Sequence, residues 1–167
     1  MIVRGQFSPI ILIGMSRYSL LDEVDNKQIE NDVLQERNTK MNFNTRSSSV
    51  EDSVLPKTPA VTHLLEKVDR VVKSINKYLI NGDEAWTHLV EPGQSTMFHT
   101  HQDPGPPGLS FVYWVTFPEN SGTFVGILQV DKYRHFHDVI PKAGDLIIFP
   151  TYLPHMTDFL QSCVVDK

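Results

Sequence analysis

Beyond Gly82 the sequence breaks into short runs rich in aromatic and β-branched residues, and these limit the folds open to it. They are "EAWTHLVEPG" (84–93), "STMFHTH" (95–101), "LSFVYWVTFP" (109–118), "TFVGILQV" (123–130), "DLIIFP" (145–150) and "DFLQSCVV" (158–165). Each has the length and composition of a strand. Pro92-Gly93, Asn120 to Gly122 and Lys142 to Gly144 punctuate them with turn residues. Many short strands following helical material predict an α+β protein, mainly β, with a sandwich or barrel core.

The helical material lies upstream. In "TPAVTHLLEKVDRVVKSINKYLING", Val61, Leu64, Leu65, Val68, Val71, Val72, Ile75 and Leu79 recur at steps of three and four. That spacing makes one apolar face of a helix over 59–80. Thr58 is suited to the N-cap, Pro59 to the first helical position, and Asn81-Gly82 to a left-handed stop. His63, in the first turns, reads as a surface or partly packed histidine. Residues 7–15, "FSPIILIGM", read as a strand, and 20–37 as polar sequence with a thin apolar stripe, a short helix. Residues 38–57 are rich in Asn, Ser, Thr and charge and read as a mobile loop.

A chain of 167 residues is sized for one domain, here 1–167. The net charge of −5, with no basic cluster, argues against a nucleic-acid partner. No apolar run approaches the ~20 residues of a membrane span, and "PIILIGM" lacks the small-residue cleavage pattern of a signal peptide. Cys163 stands alone and has no partner for an internal disulfide, which favours a reducing, cytoplasmic setting.

Of the seven histidines, six remain to be placed. In "MFHTHQDPGPPG", His99, His101 and Asp103 occupy alternate positions ahead of a stiff, turn-prone loop. If that segment is extended, the three side chains share a face, with neighbours roughly 6.6–7 Å apart at Cα. His99 and Asp103 stand about 13 Å apart on the same rise, too far to share an ion unless the chain bends. The pair is therefore His99 with His101, or His101 with Asp103. A third ligand must come from elsewhere, and "KAGDLIIFPTYLPHMT" delivers His155 from a Pro-flanked turn after an apolar strand. His135 and His137 in "YRHFHD" also alternate, but their polar surroundings read as a solvated loop. His88 alternates with Trp86 and Val90 and has no assigned role.

These pieces, in this order, resemble the small prolyl-hydroxylase-like members of the Fe(II)- and 2-oxoglutarate-dependent oxygenases. The resemblance covers roughly 84–160. "EPGQSTMFHTHQD" is similar to that family's approach to its His-x-Asp pair, and "GDLIIFP" with the later "PH" to its approach to the distal histidine. It implies a double-stranded β-helix, a jelly-roll buttressed by one or two N-terminal helices. It implies Fe(II) on His101, Asp103 and His155, a facial triad that leaves positions open for 2-oxoglutarate as co-substrate and for dioxygen. It implies hydroxylation of a C–H bond in a protein side chain or a small metabolite. Tyr113 resembles the aromatic residue that hydrogen-bonds 2-oxoglutarate. Trp114 faces the other way on a regular strand, so only one of the two lines the pocket. The family also places a basic residue about ten positions past the distal histidine. "MTDFLQSCVVD" has none, and only Lys167 follows, so either the chain stops short of the family's last strand, which is the favoured expectation, or 2-oxoglutarate is held differently, or the activity is lost.

Two other readings compete. "GQSTMFHTH" and "GDLIIFPTYLPH" also resemble the cupin motifs, which implies a metal-dependent isomerase or dioxygenase with His99, His101 and His155 as ligands. The glutamate of that pattern is missing from "QDPGPPGLS", and Tyr152 stands where it expects glycine. The third is a non-catalytic jelly-roll binding module with solvated histidines.

Overall fold

The computed structural model describes residues 2–5, 15–37, 51–75, 79–90, 95, 96, 98–101, 108–119, 122–130 and 133–158. Among them the chain is mainly antiparallel β-sheet with two helices, as the strand-like runs and the apolar helix face require. No described helix is long and apolar enough to cross a membrane.

Five strands form the larger sheet, in the order β2 (Ser16–Ser19), β9 (Asp145–Pro150), β6 (Gly108–Tyr113), β1 (Ile2–Gly5), β4 (Leu79–Glu84). Three form the smaller sheet, in the order β10 (His155–Asp158), β7 (Thr123–Val130), β8 (Tyr133–Val139). A separate two-stranded sheet pairs β3 (Glu51–Val54) with β5 (Trp86–Leu89).

Strand β9 is the pivot of the layers. All six of its residues are buried. Successive side chains leave a strand on opposite faces. Leu146 and Ile148 accordingly join a core with helices α1 (Asn26–Arg37) and α2 (Pro59–Ile75), while Ile147 and Phe149 join a second core with Phe124 and Leu153. A strand covered on both sides reads as a continuous apolar run, which is why "DLIIFP" does not alternate with polar residues.

Helix α2 buries Val61, Leu64, Val68 and Val72, the stripe its spacing predicts. Each such burial is worth roughly 1.5–3 kcal/mol relative to exposure. The Val61 N–H donates to Thr58 Oγ1 at 3.4 Å, so Thr58 caps the helix, and its hydroxyl also donates to the Asp32 carboxylate of α1. Helix α1 is capped in turn by Asp25, whose Oδ1 accepts from the Gln28 N–H at 3.0 Å. The turn into β9 needs Gly144, whose φ is +85° and whose added Cβ would lie 2.7 Å from the Leu21 Cα. The Asp145 carboxylate accepts from the Lys142 N–H at 2.6 Å and pairs with Arg17 on the neighbouring strand.

Several sequence expectations are corrected. The described helix ends at Ile75, and Leu79, Asn81 and Gly82 belong to β4, where Val3 faces Gly82 and Gly5 faces Leu79. Pairing with a distant strand overrides the local helix stop. "YRHFHD" is not a loop but the start of β8, because every residue from Tyr133 to Val139 finds a partner on β7. Of the expected loop 38–57, residues 51–54 form β3, paired with β5; 38–50 lie outside the described residues, as do most of the expected strand 7–15, Cys163 and 159–167.

Candidate metal centre

Backbone pairing assembles the site. The His99 N–H donates to the His155 carbonyl at 3.1 Å and the His155 N–H donates back to the His99 carbonyl at 3.0 Å. This mutual exchange is the hydrogen-bonded antiparallel pair, which sets two Cα atoms about 5.5 Å apart. The His101 N–H then donates to the Thr151 carbonyl at 3.0 Å. Upstream, the Thr96 N–H donates to the Thr157 carbonyl at 3.0 Å. Residues 96 and 98–101 thus lie along β10 and the turn before it, on the far side from β7, which β10 pairs through His155 and Gly126. The Pro-flanked turn and the His-x-His stretch meet because the sheet zips them together.

One possible ligand atom from each of His99, His101 and His155 lies within 4.8 Å of the others. Three nitrogens sharing one ion at 2.0–2.2 Å must stand about 3–3.5 Å apart. His101 Nε2 and His155 Nε2 are 3.2 Å apart. His155 is buried, its ring packed 4.5 Å from Phe149 and 5.7 Å from Phe124 between centroids. His99 and His101 are half-buried.

The chemistry of these donors suits a metal. His155 Nδ1 lies 2.9 Å from the Leu153 carbonyl, which can only accept, so Nδ1 carries the proton and the neutral ring keeps its lone pair on Nε2. Burial pushes the His155 imidazole down to about 3, against the pull of the Leu153 carbonyl in the other direction. Burial, then the neighbouring His155 and His99, push His101 down to about 3 as well. Both rings are therefore neutral near pH 7, the form that ligates.

The expected site residues separate. His101 and His155 come together, and His99 joins them. Asp103 lies outside the described residues. Tyr113 packs with the helix-facing core, and its hydroxyl donates to Asn26 Oδ1 at 2.5 Å. Burial pushes that hydroxyl up to about 12. Residue parity decides this, because Tyr113 shares a face with Leu109 and Phe111, whereas Val112 and Trp114 face the core behind His155. His63 is exposed on α2, its ring near the Glu23 carbonyl, as expected. His137 is exposed on β8 and is not part of the cluster.

Sequence reading missed the surroundings. Trp86 lies with its ring 5.5 Å from that of His101, tilted by 59°, and its indole N–H donates to His88 Nε2 at 2.7 Å. The i, i+2 spacing of Trp86 and His88 was the available signal. Nothing local marks the Leu153 carbonyl as the group that orients His155.

The architecture is similar to that of solved prolyl hydroxylases. A prolyl-4-hydroxylase from Pseudomonas putida matches with a TM-score of 0.64 at 19% identity, over 89% of this chain and 87% of that one. A prolyl hydroxylase from Trichoplax adhaerens, in complex with a hypoxia-inducible-factor peptide fragment, matches at 0.64 and 12% identity, over 89% of this chain and 78% of that one. No protein-family model matches the sequence, and no curated protein matches it. At these identities the likeness establishes the fold alone.

Proposed function

We propose that this chain is a single-domain Fe(II)-dependent oxygenase, built on a double-stranded β-helix, that uses 2-oxoglutarate to hydroxylate a C–H bond. The observation that carries the reading is the convergence of His99, His101 and His155 on one point within the prolyl-hydroxylase fold. His101 and His155 are ligands in both metal readings of the sequence, and we take His99 as the third because its ligand atom lies within 4.8 Å of theirs. When bound there, iron with 2-oxoglutarate and dioxygen would supply the oxidising power.

The chain's own residues do the rest. Leu153 holds His155 in the ligating tautomer. Phe124 and Phe149 keep water from the buried side of that ring. Three imidazole ligands would leave both positive charges of Fe(II) uncompensated, whereas a carboxylate ligand would cancel one. Such a centre would attract a dianionic co-substrate more strongly, which suits a chain with no basic residue from Met156 to Asp166. A protein side chain is one substrate class for this site, in line with the peptide on the Trichoplax neighbour, and a small metabolite is the other.

The test is anaerobic loading with Fe(II) and 2-oxoglutarate, measuring bound iron and the weak visible charge-transfer band. The native chain and Asp103→Ala should bind one iron and show the band; His99→Ala should lose both. Loss in Asp103→Ala with retention in His99→Ala would move the third ligand to the carboxylate. Metal without the band would favour a cupin-like enzyme, and no metal at all an inert binding module.

A further inference from the structure

Resting on the metal reading above, we propose that Trp86 is a positioning residue of the histidine centre, acting through His101. The two anchored rings differ in how they are held. His155 has a carbonyl on Nδ1 and two phenylalanines against its ring. Among the described residues, the His101 side chain hydrogen-bonds only to His155, itself a member of the cluster. Its ring is bounded by His155 at 4.9 Å, His99 at 5.0 Å and Trp86 at 5.5 Å between centroids. Trp86 is the only one of these three that is not a candidate ligand. It does for His101, by packing, what a hydrogen-bonded outer partner does for most metal-bound histidines.

Trp86 is itself fixed from two directions. Its backbone pairs with Val54 in the β3–β5 sheet, which belongs to neither layer of the main fold. Its indole N–H donates to His88 Nε2, two residues along the same strand, with the rings in edge contact at 5.9 Å. An indole held at its one donor cannot swing without breaking that bond. The line of control runs from exposed His88 to half-buried Trp86 to His101. It gives a purpose to the alternation of Trp86 and His88.

Cobalt(II), whose visible ligand-field bands report ligand arrangement, is the probe, titrated into the purified full chain. Trp86→Ala should weaken Co(II) binding by about tenfold or more and shift the bands at saturation. Trp86→Phe, which keeps an aromatic face, should restore most of the affinity. His88→Ala, at an exposed position, should alter the bands with a smaller loss of affinity. Native affinity and native bands in Trp86→Ala would overturn the proposal, as would equal damage from Trp86→Phe and Trp86→Ala. Should Trp86→Ala fail to fold, His88→Ala decides, and unchanged bands there overturn it. Failure of the native chain to bind Co(II), by contrast, refutes the metal centre itself, whereas native-like Trp86→Ala beside a non-binding His155→Ala refutes only the role of Trp86.

Discussion

Truncating Phe149 to alanine tests the layer arrangement and the buried wall of the histidine site together. The side chain is 0% exposed, 5.4 Å from the Phe124 ring and 4.5 Å from the His155 ring. Removing it empties a tightly packed space that the rigid strands β7 and β9 cannot fully close, a loss of about 3–5 kcal/mol. Against the ~5–15 kcal/mol that hold a domain folded, this is a large fraction. In a domain of this size 1 kcal/mol moves the melting temperature by about 2–4 °C, so a fall of about 6–20 °C is expected. Urea and thermal denaturation followed by circular dichroism measure it. Milder substitutions then test the layers. Phe149→Leu and Phe124→Leu should be non-additive, by about 0.5–1.5 kcal/mol for the lost aromatic pair. Phe149→Leu and Leu146→Ala lie on opposite faces of β9 and should add within about 0.5 kcal/mol. A loss below about 1 kcal/mol for Phe149→Ala, or strong coupling between Phe149 and Leu146, would refute the two-core account of β9.

Acidification should destabilise the metal-free protein through its histidines. His101 and His155 titrate near 3 when folded against 6.5 in the open chain, so between those values the unfolded state binds more protons and stability falls as pH falls. Each contributes up to about 1.4 kcal/mol per pH unit in that window, and His155→Gln should lose less stability between pH 7 and 5 than the native chain in urea melts. Gly144→Ala should cost about 1–3 kcal/mol in the same assay, because the left-handed backbone and the Leu21 backbone both oppose a Cβ there. Thr58→Ala should cost about 1 kcal/mol through the lost cap of α2, with Thr58→Ser recovering most of it; equal stability of all three would show that the cap contributes nothing.

The sequence by itself determined whatever depends on near neighbours along the chain. The three- and four-residue spacing of Val61, Leu64, Val68 and Val72 fixed the face of α2, and Thr58-Pro59 fixed its start. The apolar runs marked β7 and β9 at their observed bounds, and the sequence put forward His101 and His155 as ligands, with Asp103 as the leading third and His99 as its alternate. Tertiary structure decided whatever depends on which strand pairs with which. Asn81-Gly82 looks like a helix stop but lies in β4, because β1 offers it a ladder of hydrogen bonds. Tyr113 packs on the helix side, because the register of β6 puts its parity with Leu109 and Phe111. His99 joins His101 and His155 because a backbone pair sets it opposite His155. A local pattern states what a segment can do. Long-range pairing sets the face each side chain takes, since shifting a strand by one residue turns every side chain to the other side.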